Sequence, residues 1–321
     1  MSTYILRRVV HFVPLLLFIS IVGFVAVRFT GDPLAAYVPR GGMTQEAMQA
    51  LRARFGLDQP LVLQYVYWLA AILQGNWGNS FVTGQPVLTV ILPRLLNTAI
   101  LLSSILVVTL ALSLPVGIYS AVRPRSFLAY SLDTFAFLAF ATPTFWLGII
   151  LIIVFAVLFK AWGLPYLPPG GMYDSHSGFS IPSLLQHLVL PTTVLAVTGV
   201  ARYARYLRAN LAEVLREDYI RTGRAKGLDE RTVLTRHALK NAALPLVTLL
   251  MLDAPQLVSF AVITEQVFAW PGAGQLLVQH AFRADFPVLM GLLMVTAVLV
   301  VAFNLLADIA YAWLDPRIRY G

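Results

Sequence analysis

The sequence contains no cysteine, which excludes disulfides and metal sites built on thiolates. Charged residues are also scarce, at 12% of 321 positions, whereas 59% are hydrophobic and the mean hydropathy is +0.77. This composition is typical of a polytopic membrane protein. The net charge of +8 does not call for nucleic acid as a partner, because an excess of cytoplasmic Lys and Arg on a membrane protein explains it.

The sequence also lacks the short motifs of several enzyme classes. It has no G-x-x-x-x-G-K-[ST] phosphate-binding loop, no H-E-x-x-H zinc motif and no G-x-S-x-G nucleophile elbow. Its five histidines are scattered without the spacing of metal ligands. We therefore predict no catalytic residue, no metal site and no cofactor in this chain, which is not itself expected to be an enzyme.

Long apolar stretches predict an all-α membrane protein with six transmembrane helices. They lie near residues 9–29, 95–121, 134–159, 184–206, 242–264 and 287–312. The first stretch follows Arg7 and Arg8 and is long for the core of a signal peptide, so we interpret it as an uncleaved span. The predicted domains are a first helix (1–29), an extracytoplasmic helical region (30–93) and a five-helix core (94–321).

The distribution of Lys and Arg predicts that both termini face the cytosol. With that orientation, sixteen of the 23 basic residues lie on the cytoplasmic side. Ten of them, together with five Asp or Glu, lie between residues 202 and 240. Because each charge at the centre of a membrane helix costs about 2.5–3.5 kcal/mol, this segment must lie in water.

Two short helices are predicted in the outer region. Thr44 can cap a helix that ends at Arg54, where Gly56 is placed for a left-handed stop. Pro60 can begin a second helix that Gly75 ends. We expect both helices to lie on the membrane surface.

The charged segment reads as helix, glycine, helix. We expect the fourth span to continue as one helix to Lys226, with Gly227 left-handed and Asp229 capping the next helix. One side of that next helix is largely apolar: Val233, Leu234, His237, Ala238 and Leu239. Two interpretations stay open, an elbow that docks into a groove on another protein and a solvated loop between spans.

Asp253 is the one acidic residue predicted near the middle of a span. A carboxylate at that depth should face protein or water rather than lipid. It either lines a translocation pathway or bonds to another helix, and the sequence favours neither. Glu265, at the outer end of the same span, either contacts a solute or is solvated.

Several motifs resemble one known family. Residues 219–248, YIRTGRAKGLDERTVLTRHALKNAALPLVT, resemble the cytoplasmic loop of ABC-importer permeases, in the form carried by B-type subunits of the dipeptide/oligopeptide family. Four further segments resemble the same family: TGDP (30–33), GLDQP (56–60), ITEQVFAWPGAGQLL (263–277) and DPRIRY (315–320). Gly223 stands where that family usually has Ala, and Asp253 where its residues are usually uncharged.

The resemblance implies a type I ABC-importer permease of the bacterial inner membrane, carrying di- or oligopeptides. It would pair with a C-type permease, two ATP-binding subunits that hold ATP and Mg, and an extracytoplasmic solute-binding protein. Within residues 209–240 and just beyond, the implied ATPase-coupling residues are Tyr219, Thr222, Arg224, Ala225, Lys226, Gly227, Leu228, Arg236, His237 and Pro245. The expected pathway residues are Asp253, Ser259, Phe260 and Glu265.

Other functions remain open on the sequence. Nickel, glutathione or short oligosaccharides could replace peptides as the substrate, because related systems carry them. A stand-alone secondary carrier or channel would transport without ATPase partners, but such a carrier normally needs several ionisable groups in the membrane.

Overall fold

The structure is a computed structural model that describes residues 2–29, 34, 44–54, 56–174 and 178–314. Side chains are described for these residues except 2–9, 54, 254–260 and 306–314. The described part of the chain is helical, and its sole β-type pairing is an isolated bridge between Asn79 and Pro86. The predicted all-α membrane fold is confirmed.

The helices follow one another closely along the chain. In order they are α1 Ser2–Phe29, α2 Gln45–Arg54, α3 Leu61–Leu73, α4 Val87–Val122, α5 Phe127–Ala141, α6 Thr144–Ile152, α7 Phe159–Ala161, α8 Ile181–Val214, α9 Asp218–Ala225, α10 Glu230–Thr232, α11 Leu239–Val267, α12 Ala273–Phe282 and α13 Phe286–Leu314. Two π-helical segments, Ile153–Leu158 and Val233–Ala238, continue directly into α7 and α11.

Five helices among the described residues are long and apolar enough to cross a membrane. They are Val10–Phe29, Val87–Val122, Thr144–Ala161, Ile181–Val214 and Phe286–Leu305. The remaining predicted span, 242–264, lies within α11, in which the side chains of 254–260 are outside the described residues. The count of six spans and the placement of both termini in the cytosol stay predictions.

The prediction of one helix over 134–159 is wrong, because α5 ends at Ala141 and α6 begins at Thr144. Thr142 and Pro143 between them are extended, with ψ angles of 119° and 133°. Proline has no backbone N–H, and its ring disfavours a helical conformation at the preceding residue. The Thr142 N–H and hydroxyl both donate to the Leu138 carbonyl, at 3.1 and 2.7 Å, and so complete the end of α5.

Helices α5 and α6 both pack against α8 on either side of this break. Arg208 Nη1 donates to Asp133 Oδ2 at 3.0 Å, which joins α8 to α5. Further along, Ala139 packs on Ala201, and beyond the break Leu151 packs near Val194. The two helices therefore follow α8 in the antiparallel direction.

Helices α4 and α8 approach each other closely at two glycines. A Cβ added to Gly117 would lie 2.9 Å from the Ala204 carbonyl oxygen, and one added to Gly199 would lie 2.8 Å from Thr109 Cγ2. Small residues at a helix interface allow this approach between membrane helices. Any larger residue at Gly117 must move backbone, because its nearest neighbour is a carbonyl.

The described chain packs as two compact units, one built mainly from Met1–Asn97 with Gly272–Leu305 and the other mainly from Thr98–Pro271. In the first unit, the start of α4 packs on α12 and α13 through Val87, Ile91, Ala273, Leu276, Val288 and Leu292. This packing explains why α4 begins eight residues before the predicted span. In the second unit, the completely buried Trp270 packs with residues of α4 and α8.

A buried carboxylate joins two distant segments of the first unit. Asp285 accepts hydrogen bonds from the Ser80 hydroxyl and the Phe81 N–H, and its Oδ2 lies 2.9 Å from His280 Nδ1. Burial alone would raise the pKa of Asp285. The hydrogen bonds outweigh burial, however, and the pKa lies below the ordinary value of 3.8.

The two predicted outer helices are present, and their ends agree with the prediction except at the start of α3. The Thr44 hydroxyl accepts a hydrogen bond from the Ala47 N–H at 3.3 Å, and Gly56 is left-handed with a φ of +63°. Gly75, at +83°, likewise ends α3. Pro60 was predicted to be the first residue of α3, but it is the cap residue immediately before the helix, which begins at Leu61.

Candidate functional site

The 209–240 loop leaves α8 through a turn rather than as one continuous helix. The prediction of an unbroken helix to Lys226 is wrong, since α8 ends at Val214 and α9 begins at Asp218. The turn is closed by the Arg216 and Glu217 N–H groups, which donate to carbonyls of the preceding turn. It redirects the chain so that Ile220 is completely buried among residues of α8. Burying this side chain favours the turn over continuing the helix.

Gly227 forms the predicted left-handed elbow, with a φ of +81°. The Leu228 N–H donates to the Gly223 carbonyl at 3.3 Å, and the Gly227 N–H donates to the Arg224 carbonyl at 3.0 Å. This pair of bonds is the Schellman arrangement, which satisfies carbonyls at the end of α9. Nothing lies within 4 Å of the position that a Gly227 side chain would occupy.

Asp229 begins the next helix, as predicted, by accepting a hydrogen bond from the Thr232 N–H at 3.1 Å. That bond lowers the pKa of the Asp229 carboxyl group. Across the elbow, the Arg224 guanidinium makes two hydrogen bonds to the Glu230 carboxylate. The side-chain hydrogen bond from Arg224 also lowers the pKa of Glu230. The elbow is therefore closed by backbone bonds on one side and by an ion pair on the other.

The loop is anchored by apolar side chains on both sides of the elbow. Ile220, Val233 and Ala238 are completely buried, and they pack with Ala121, Tyr203, Leu207, Leu211, Ala242 and Leu246. Leu234 and Leu239 pack against this cluster while remaining partly exposed.

His237 is exposed, which corrects its predicted place on the apolar side. Residues 233–238 are π-helical, with i→i+5 hydrogen bonds in place of i→i+4, so the residues that share a face differ from those of the regular helix that the sequence predicts. Val233 and Ala238 both pack in the cluster.

The tip of the loop is exposed. Leu228 is 41% exposed, and the other predicted coupling residues Tyr219, Thr222, Ala225, Lys226 and Arg236 are exposed as well. The Tyr219 hydroxyl accepts a hydrogen bond from Asn241 Nδ2 at 2.9 Å. Pro245 lies inside α11, seven residues into the helix. The structure thus brings together the predicted residues from Tyr219 to Leu228 and leaves Pro245 apart in a helix interior.

A shallow groove runs beside the start of α9. The groove is lined by Ala209, Ala212, Glu213, Arg216, Glu217 and Asp218. Four of these residues are charged, and three of the four are acidic. Sequence analysis did not single out this groove, because it depends on the turn between α8 and α9.

Two of the four expected pathway residues have described side chains, and both are buried. Asp253 accepts a hydrogen bond from the Tyr203 hydroxyl at 2.9 Å, and Arg202 Nη1 lies 3.1 Å from the same carboxylate oxygen. Glu265 is completely buried and accepts a hydrogen bond from the Thr98 hydroxyl, so the solvated alternative for this residue is wrong. The side chains of Ser259 and Phe260 lie outside the described residues.

No group of three or more His, Asp or Glu side chains that could hold a metal ion occurs among the described residues. The site that sequence reasoning missed altogether is the bonding around Asp285. Its partner Ser80 is 205 residues away, and no local pattern signals a contact of that range.

Comparison with known families assigns the chain to one of them. Residues 113–320 match the model of the binding-protein-dependent transport system inner membrane component, and residues 1–103 match that of the corresponding N-terminal region. The chain belongs to this permease family. Members are the membrane permease components of ABC importers, and this permease is accordingly a multi-pass protein of the bacterial inner membrane.

Relatives of the permease carry consistent names. It is 41% identical over the full length of both chains to the oligopeptide transport system permease protein AppB of Bacillus subtilis. It is also 41% identical to a putative peptide permease protein of Brucella suis, over 89% of each chain. A probable peptide ABC transporter permease protein of Sinorhizobium fredii is 36% identical over the full length of both.

Proposed function

We propose that this permease carries di- or oligopeptides and that the 209–240 loop couples their movement to ATP hydrolysis in partner subunits. The partners are a C-type permease, two ATP-binding subunits and an extracytoplasmic solute-binding protein. Support for the peptide substrate comes from the names of full-length relatives. Support for coupling comes from the anchored elbow around Gly227, which is the observation that carries the proposal.

The anchoring makes the loop suitable for transmitting a movement. A displacement at the exposed tip cannot be absorbed by a flexible base, because Ile220, Val233 and Ala238 are fixed in the cluster with α8 and α11. Packed interiors have low compressibility and transmit strain. A force applied near Leu228 therefore displaces α8 and α11 as rigid bodies.

The tip also offers chemistry suited to a groove on an ATP-binding subunit. Leu228 is the apolar side chain at its end, and the exposed charged residues Lys226 and Asp229 lie close to it in the chain. Apolar anchors with a charged rim are common in specific protein interfaces. We propose that this surface faces the cytosol, as the distribution of Lys and Arg predicts.

Replacing Gly227 with proline tests the coupling proposal. Proline fixes φ near −65°, whereas the elbow requires +81°, and it also removes the N–H that donates to Arg224. We expect the Gly227→Pro complex to insert and assemble, but peptide addition should no longer stimulate its ATP hydrolysis. The measurement is ATPase rate in proteoliposomes with and without a tripeptide mixture.

Gly163→Pro is the matched control. Gly163 is also left-handed, at +68°, and its N–H also donates to a backbone carbonyl, yet it lies outside the 209–240 loop. Stimulation should survive in this variant. Normal stimulation in Gly227→Pro would refute the coupling role, whereas equal losses in both variants would indicate general damage from proline.

A further inference from the structure

Helix α3 carries apolar side chains all around its surface and has no charged residue. Its sequence is LVLQYVYWLAAIL, and no residue in it is buried within the chain. Val62 is 72% exposed and Leu73 79% exposed, and Val66 and Tyr67 lie on the exposed surface as well. A helix in water would carry polar residues on such a face.

Two polar side chains of α3, Gln64 and Tyr65, are turned toward the chain. Gln64 Nε2 donates to the carbonyls of Leu57 and Gln59, at 3.2 and 2.7 Å. The Tyr65 hydroxyl lies 2.8 Å from the Ser20 hydroxyl of α1. The Gln64 amide donor and the Tyr65 hydroxyl are thus satisfied without water, whereas Gln64 Oε1 has no partner among the described residues.

Contacts with α1 set the depth of α3. The Tyr65 and Trp68 rings pack on Phe24, with centroid distances of 5.5 and 5.7 Å, and Tyr65 also reaches Ser20. The uncharged part of α1 is bracketed by Arg8 and Arg28. Twenty residues of helix span about 30 Å, which is the thickness of the hydrocarbon core.

Ser20 and Phe24 therefore lie inside the hydrocarbon core. They precede Arg28 by eight and four residues, which corresponds to depths of about 12 and 6 Å at 1.5 Å per residue. The Arg28 guanidinium stacks over the Phe286 ring at 4.9 Å, and this contact fixes the position of the charge beside the start of α13. A helix that contacts Ser20 cannot lie entirely above the lipid headgroups.

We propose that α3 is immersed in the leaflet at the Phe29 end of α1, with its exposed face against lipid acyl chains. Helix α1 likewise has exposed apolar side chains within its span, such as Phe18 at 64%. With 13 residues, about 20 Å of helix, α3 is too short to cross the membrane alone. Tyr67 and Trp68 suit a position near the headgroups.

Helix α2 provides the contrast within the same region. It carries Glu46, Arg52 and Arg54 in ten residues, so it stays in water. The expectation that both outer helices lie on the membrane surface is therefore refined: α3 is lipid-immersed and α2 is not.

Because the chain has no cysteine, single-cysteine variants can carry a spin label directly. We would label Val62→Cys and Val66→Cys in the full-length chain, reconstituted in vesicles of phosphatidylethanolamine and phosphatidylglycerol. Collision rates with oxygen, which concentrates in acyl chains, and with a water-soluble nickel chelate report the surroundings of each label. Phe18→Cys serves as the lipid reference and Ala47→Cys, exposed on α2, as the water reference.

Both α3 labels should match Phe18→Cys, with frequent oxygen collisions and few nickel collisions. A nickel collision rate equal to that of Ala47→Cys would overturn the proposal, because it places α3 in water. Low rates with both reagents would also overturn it, because they indicate that a protein surface covers this face. Since each label sits at an exposed position, folding of the chain is not at issue.

Discussion

Gly223 and Gly227 are four residues apart, yet a side chain would meet opposite conditions at the two positions. A Cβ at Gly223 would lie 3.6 Å from Leu228 Cδ1, at ordinary contact distance, in a helical conformation that alanine prefers. At Gly227 the positive φ would strain any residue with a Cβ, however open the space. The helix end therefore requires one glycine and tolerates replacement of the other.

We expect Gly223→Ala to stabilise α9 by about 1 kcal/mol, because alanine removes the backbone entropy cost of glycine and adds a contact to Leu228. Amide hydrogens of α9 should then exchange about fivefold more slowly, if they exchange by local opening. Gly227→Ala should have the opposite effect. Slower exchange in both variants would show that the elbow does not require a left-handed residue.

Asp285 should make the stability of its unit depend on pH. Because the folded-state pKa lies below the ordinary 3.8, its stabilising contribution is present above that value and is lost as pH falls through the folded-state pKa. We expect the melting temperature of the solubilised protein to fall between about pH 5 and about pH 3. Asp285→Asn should lower the melting temperature at neutral pH and flatten this acid dependence. An unchanged acid dependence in the variant would assign it to other carboxylates.

Among the helices, the contact between α4 and α8 is the one least able to accommodate an added atom. We expect Gly117→Ala to destabilise the protein by about 1–3 kcal/mol, because its methyl group would meet the Ala204 backbone. Gly23→Ala is a suitable control, since the added methyl would meet only the Leu293 side chain, which can rotate away. Thermal unfolding of the two variants gives the comparison, and a smaller effect at Gly117 than at Gly23 would contradict it.

Helix ends and helix breaks differ in how far they could be predicted from the sequence. The stops at Gly56, Gly75 and Gly227 were predictable because each depends on hydrogen bonds within six residues. The turn after Val214 was not, because it depends on burying Ile220 against residues of another part of the loop and α8. Pro143 signalled a distortion of its span, but a kinked helix and two separate helices share that signal.

For the whole molecule, family and membrane character could be predicted from composition and motifs, whereas the environment of single charges could not. Asp253 had two interpretations of equal weight, and the structure supplies it with Arg202 and Tyr203 as partners. Glu265 was expected to be accessible and is instead buried on Thr98. Both results depend on contacts between helices far apart in the chain.

We expect Asp253→Asn to leave assembly intact but to alter uptake or selectivity. Asparagine still accepts the Tyr203 hydrogen bond, while the Arg202 charge loses its partner and changes the local field. The measurement is uptake of labelled peptides of several charges into proteoliposomes. Asp133→Asn is the control, because this carboxylate is half exposed and also pairs with arginine. Unchanged kinetics for every peptide would leave Asp253 a purely structural role.

The glycine contacts between α4 and α8 also have a mechanical consequence. Where side chains separate two helices, rotamer changes let one helix shift slightly without its neighbour. At Gly117 the backbone of α8 at Ala204 lies directly against α4, and at Gly199 only the short Thr109 side chain lies between the two helices. We therefore expect the part of α4 in the second unit to move together with α8 as one rigid body. Bending of the helices during transport must then occur elsewhere, and the extended residues Thr142 and Pro143 between α5 and α6 are suited to it.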